Sequence, residues 1–137
     1  MTGPSGKSKG GRVRVKTARR RSAASTRWLE RQLNDPYVQA ARAAGYRSRA
    51  AYKILELDEQ FGLLRGVTRA VDLGAAPGGW TQVLLKKRPQ ARVAAIDLLP
   101  MEPIAGAEIL QMDFLDEDAD DRLIAALGGT AQLVMSD

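Results

Sequence analysis

A chain of 137 residues, 45% hydrophobic and 27% charged, suits one globular domain with a core of modest size. It contains no Cys and no His, which excludes disulfides, thiolate chemistry, Cys-based zinc sites and the commonest general base, so that any catalytic base must be Lys, Asp, Glu or Tyr. The net charge of +5 is segregated: residues 1–53 hold 14 Lys and Arg against 2 acids, net +12, and residues 54–137 hold 7 against 14, net −7. A basic front on an acidic back predicts a polyanionic partner for the front half, and the bland alternative is a solvated tail. No apolar run approaches the ~18 residues of a membrane span and no signal-peptide core is visible, so the expectation is a cytoplasmic protein.

Residues 1–25 are rich in Gly, Ser, Lys and Arg and cannot bury enough surface to fold alone. They are expected to be a disordered basic arm that binds phosphates. Gly3-Pro-Ser-Gly-Lys-Ser8 has neither the spacing nor the preceding strand of a phosphate-binding loop, and Val13 and Val15 are too few for a strand. From Ser25 or Thr26 a helical pattern places Trp28, Leu29 and Leu33 on one face and ends at Asn34-Asp-Pro36. Pro36 suits the first turn of a second helix, which Gly45 terminates. A third helix, capped by Ser48, carries Tyr52, Ile54, Leu55, Leu57 and Phe61. Arg42, Arg47, Arg49 and Lys53 make residues 25–66 a basic helical preface.

From residue 67 onward strands and helices alternate. Strands are predicted near 69–73, 92–96, 108–111 and 132–135, and helices near 79–87 and 119–127. That alternation means a parallel sheet of α/β class with right-handed crossovers. Ala70-Val-Asp-Leu-Gly-Ala-Ala-Pro-Gly-Gly-Trp-Thr-Gln82 is the organising stretch: a buried strand, a glycine-rich turn and a helix start. Such a turn makes a ligand site at the carboxyl edge of a sheet, where glycines allow close backbone approach. Ala76 stands where a G-x-G-x-x-G pattern needs its second glycine, and a P-loop would need G-x-x-x-x-G-K-[ST]. What is left is a site for a nucleoside-type cofactor with no strong demand on phosphate. A nicotinamide-dependent oxidoreductase is disfavoured by Ala76 and Pro77. Asp97 follows the second strand, where a carboxylate can accept both ribose hydroxyls. Asp113 follows the third and opens a run with Asp116, Glu117, Asp118, Asp120 and Asp121, whose later members read as solvated charges at a helix N-terminus.

Asp72-Leu-Gly-Ala-Ala-Pro-Gly-Gly-Trp80 resembles the S-adenosylmethionine-binding motif of the FtsJ/RrmJ-type ribose 2′-O-methyltransferases. The likeness extends, in the family's order, to Ser48-Arg-Ala-Ala-Tyr-Lys53, Asp97-Leu-Leu-Pro-Met101, Gln111-Met-Asp-Phe114 and Met135-Ser-Asp137, and so covers the chain from about Thr26 onward. It implies a Rossmann-like methyltransferase sheet, of which the four strands in the order 3-2-1-4 would be the first portion, with residues 67–137 as its cofactor half. S-adenosylmethionine would be bound by Gly78, Trp80, Asp97, Asp113 and Asp137, with Asp113 accepting from the adenine amino group. Asp72 would orient the turn or the cofactor's amino group.

The implied reaction is 2′-O-methylation of a uridine ribose in large-subunit ribosomal RNA, by a monomer that needs neither metal nor membrane. Of the family's Lys-Asp-Lys-Glu tetrad, Lys53 matches the first lysine and Asp137 the aspartate. The second lysine and the glutamate have no counterpart. The expectation is therefore a C-terminally truncated, inactive enzyme whose fourth strand has an unpaired edge. Its rival is an RNA-binding module with a non-catalytic cofactor fold.

Overall fold

The computed structural model describes residues 23–137, so positions 1–22 of the basic arm expected over residues 1–25 lie outside the described residues, while Ala23, Ala24 and Ser25 belong to a helix rather than to a disordered arm. The described residues divide into two units, with the boundary between Ala40 and Ala41. In the first, helix α1 spans Ala23–Asn34, two residues earlier than the sequence pattern begins. Helix α2 spans Pro36–Ala43. Asp35 caps it, its Oδ1 accepting the Tyr37 N–H at 2.7 Å, and Pro36 occupies the first helical position, where a missing N–H costs nothing.

The second unit holds the rest. Helix α3 spans Ala50–Phe61, strand β1 Arg69–Leu73, helix α4 Gly79–Lys87 and strand β2 Arg92–Asp97. Strand β3 spans Ala107–Gln111, helix α5 Ala119–Leu127 and strand β4 Leu133–Ser136. The four strands are all parallel in the order β3-β2-β1-β4, as expected. Strand β2 runs one residue further than expected, so that Asp97 is its last residue and pairs in register with Gln111. Ser48 does accept the Ala50 N–H through Oγ at 3.1 Å, although Arg49 is the residue at the helix boundary. Gly62, with φ +62°, closes α3 by donating its N–H to the Asp58 carbonyl at 2.7 Å.

Strand alternation sends successive side chains to opposite faces and so divides the core in two. Ala70, Val93 and Met135 pack with Ala51 and Ile54 of α3 and Val83 and Leu84 of α4. Val71, Ala94 and Ile96 pack on the other face with Met112 and with Ala119 and Leu127 of α5. Both faces of the sheet are covered over β1 and β2, while Val134 of the edge strand β4 is exposed.

Candidate cofactor site at the carboxyl edge of the sheet

The order β3-β2-β1-β4 makes the chain leave β1 toward β2 on one side and return to β4 on the other. Loops diverge at such a point and leave a crevice. A cavity of about 220 Å³ lies there, lined by the ends of all four strands. Leu73 and Gly74 come from β1, Ile96, Asp97 and Leu98 from β2, Met112, Asp113 and Phe114 from β3, and Ser136 and Asp137 from β4.

The turn after β1 is tied to the end of β2. Gly74 and Ala75 both donate their N–H groups to the Ile96 carbonyl, at 2.8 and 3.1 Å. Gly74 has φ +69°, and a Cβ built on it would meet nothing within 4 Å, so the turn is bare on the cavity side. Asp97 joins the turn from below: its Oδ2 accepts the Ala76 N–H and its Oδ1 the Leu99 N–H, both at 2.9 Å. Asp113 Oδ1 accepts the Leu115 N–H at 2.9 Å, which fixes the loop after β3. Asp116, Glu117 and Asp118 are exposed and Asp120 and Asp121 stand in the first turn of α5, the place expected for solvated acids.

Asp72 lies behind the cavity wall, 2% exposed, and its Oδ2 accepts the hydroxyl of the fully buried Thr81 at 2.7 Å. Burial raises its pKa to about 6, against the opposing Thr81 hydrogen bonds, and the nearby charges of Asp137 and Asp97 push it the same way. At the far edge, Lys53 Nζ of α3 donates to Asp137 Oδ1 at 2.6 Å, with the Lys53 side chain 62% and the Asp137 side chain 36% exposed. Asp137 therefore both lines the cavity and holds the lysine.

Of the residues the sequence singled out, Asp97, Asp113 and Asp137 converge on one cavity, and Lys53 reaches it through Asp137. Gly78 and Trp80 do not line it. At Gly78, φ +115°, an added Cβ would stand 3.0 Å from Met101 and Ile104, and the Trp80 indole N–H donates to the Ala50 carbonyl at 2.7 Å while its ring joins the α3–α4 core. Thr81 and Arg47 were not singled out for the site. Thr81 follows the turn directly, so a hydroxyl one turn into the helix behind a strand acid was a signal to be read. The contacts of Arg47 leave none.

The donor set fits one kind of ligand. Three carboxylates converge on a small cavity with a bare turn on one wall, and the nearby cation, Lys53, is already paired. Such a site repels phosphates and suits a nucleoside bearing hydroxyls and positive charge. Among the described residues no group of three or more acidic residues could hold a metal ion, and no helix is long and apolar enough to cross a membrane.

The sheet and the crevice define a Rossmann-like α/β protein with an acid-lined cavity at the switch point of its strands. Residues 46–137 match the FtsJ-like methyltransferase family, and the chain belongs to that family. It is 66% identical over 141 residues to the ribosomal RNA large subunit methyltransferase E of Sphingopyxis alaskensis, covering 100% of this chain and 61% of that protein. The protein of the same name from Zymomonas mobilis is 65% identical over 127 residues, covering 93% of this chain and 58% of that one. Among solved structures, a ribosomal RNA methyltransferase from Plasmodium falciparum matches with a TM-score of 0.59 and 31% identity, over 67% of this chain and 56% of that one. The chain thus spans about three fifths of the length of these curated relatives. Family membership means a methyl donor, in keeping with the cavity.

Proposed function

We propose that this protein binds S-adenosylmethionine and serves the 2′-O-methylation of a uridine ribose in large-subunit ribosomal RNA. The observation that carries the reading is Asp137, which lines the acidic cavity and holds Lys53 Nζ at 2.6 Å on its outer side. Two chemistries meet at one carboxylate: a cofactor cavity behind it and an amine facing an acceptor in front. The names of the relatives point to ribosomal RNA as the acceptor.

When bound, S-adenosylmethionine supplies an electrophilic methyl on a sulfonium whose sulfur leaves neutral, so no acid is needed for the leaving group. The chain's own residues bind and align. Asp97, at the end of β2, accepts the ribose hydroxyls, and Asp113 accepts from the adenine amino group. Asp72 and Asp137 add negative charge that favours a cationic ligand, and Gly78 and Trp80 shape the turn from behind. Lys53, steadied by Asp137, donates to the acceptor oxygen, orients it in line and stabilises the negative charge it develops as its proton passes to water. Arg42 and Arg49, exposed ahead of α3, offer charge to the RNA backbone. The protein works as a monomer in the cytoplasm, without a metal.

Transfer of labelled methyl groups from S-adenosylmethionine to large-subunit RNA tests the reading. One RNA linkage that becomes stable to alkali marks a 2′-O-methyl ribose. RNA binding without transfer would instead favour a non-catalytic RNA-binding module.

A further inference from the structure

Arg47 sits between α2 and α3 and would pass for one more basic residue of an RNA-facing surface. Its guanidinium is already committed. Nη1 donates to the carbonyls of Pro77, at 3.1 Å, and Glu102, at 2.6 Å, and Nη2 donates to that of Pro103, at 2.8 Å. Its backbone is held as well: the Arg47 N–H donates to Gln82 Oε1 at 2.7 Å, and Gln82 Nε2 donates to the Gly45 carbonyl at 3.1 Å.

The three carbonyls come from two loops, the glycine turn after β1 and the loop 98–106 after β2. Asp97 joins the same two loops at their other end, through the N–H groups of Ala76 and Leu99. An anion gathers the donors and a cation gathers the acceptors, which lie just further along each loop, at Pro77 after Ala76 and at Glu102 and Pro103 after Leu99. Between these two fastenings the loops are in close contact. A Cβ on Gly78 would stand 3.0 Å from both Met101 Cε and Ile104 Cδ1, and 3.4 Å from Arg47 Cδ. The segment bearing Arg47 also leads into α3, which touches the turn again where Trp80 Nε1 donates to Ala50 and carries Lys53 one turn later.

We propose that Arg47 is a positioning residue for the cofactor cavity: its guanidinium staples the loop after β2 to the glycine turn and keeps Asp97 and Leu98 aligned along the wall. The inference rests on the cavity's taking a nucleoside cofactor, as argued above. A guanidinium can serve three carbonyls of two loops because its donors are fixed in one planar fork. A lysine in its place keeps the charge but is a point donor on a flexible stem and cannot span them.

Arg47→Lys in the intact chain separates this role from a phosphate contact. Hydrogen exchange of the unliganded protein is expected to quicken roughly tenfold at amides 98–106 and to stay unchanged in β1 and β2. Calorimetry with S-adenosylhomocysteine is expected to show binding weakened by about tenfold, whereas RNA affinity stays within about twofold because the charge is kept. Wild-type exchange at 98–106, or wild-type affinity for S-adenosylhomocysteine, overturns the proposal. So does a loss confined to RNA. If Arg47→Lys does not fold, Gln82→Ala, which frees the Arg47 backbone, is expected to shift both readouts in the same direction by a smaller factor, and no shift overturns the proposal. A wild-type chain that binds no S-adenosylhomocysteine defeats the cofactor reading, and the positioning role with it. The exchange rates then still report whether the staple holds the loop.

Discussion

Lys53 Nζ and Asp137 Oδ1 stand 2.6 Å apart although 84 residues separate them in the chain. The pair is exposed, so its attraction is screened and its contribution to stability is at most about 1 kcal/mol. A contact of so little structural worth at the lip of a cavity is better explained by what it does there. Lys53→Ala is expected to leave urea denaturation of the chain within about 1 kcal/mol of wild type. In a chain extended with the remaining length of a relative, the same substitution is expected to lower methyl transfer by about a hundredfold or more, the usual scale for a positioned proton-handling group. A large loss of stability, or unaltered transfer, would remove Lys53 from the proposed role.

Asp72 predicts a pH dependence whose sign can be worked out. Its pKa is raised by burial from 3.8 to about 6, so the folded state holds a proton that the unfolded chain has released. The stability linked to this group is fully present below about pH 4, is lost as pH rises toward and through about 6, and is absent above. The amplitude is on the order of 3 kcal/mol. Urea midpoints between pH 4 and 7 should therefore decline less for Asp72→Asn than for wild type, and identical slopes would refute the linkage.

The same carboxylate predicts how binding responds to pH. A cationic ligand in the neighbouring cavity favours ionised Asp72, so affinity for S-adenosylmethionine should strengthen as pH rises from about 5 to 7. Calorimetry across that range measures it. Asp72→Asn should flatten the profile.

Asp97 has two duties, since its carboxylate accepts backbone N–H groups from both neighbouring loops and also faces the cavity. Asp97→Ala is expected to weaken S-adenosylmethionine binding by more than tenfold, because hydroxyl acceptor and loop anchor are lost together. Equal affinities for variant and wild type in a titration would take Asp97 out of the site.

The two glycines of the turn should respond differently. Gly74→Ala places a methyl in open space and carries only the strain of its positive φ, of about 1 kcal/mol. Gly78→Ala carries the strain of a φ of +115° and adds a tight approach, 3.0 Å, to the side-chain ends of Met101 and Ile104, which must give way by a few tenths of an ångström. Thermal unfolding should show the second variant as clearly the less stable, and the reverse order would mean that the loop after β2 yields easily.

Much of this molecule was legible in its sequence because the signals were local. Alternation in 69–73 and 92–96, helical spacing in 79–87 and 119–127, and the glycines between them are choices each segment makes with its own neighbours. They led to a parallel sheet, and the family resemblance supplied the order 3-2-1-4 that puts Asp97, Asp113 and Asp137 at one edge of it. Only the tertiary structure decided which side chains face the cavity and which turn away. Trp80 follows the glycine turn in the sequence, yet its indole N–H points to Ala50 and its ring to the core. Burial, not residue type, sets Asp72 apart from the other acids of the edge. Arg47 is the plainest case, since its three acceptors are backbone carbonyls. Every residue carries a carbonyl, whatever its side chain, so a contact made to one leaves no trace in the order of amino acids and exists only once the loops have been folded together.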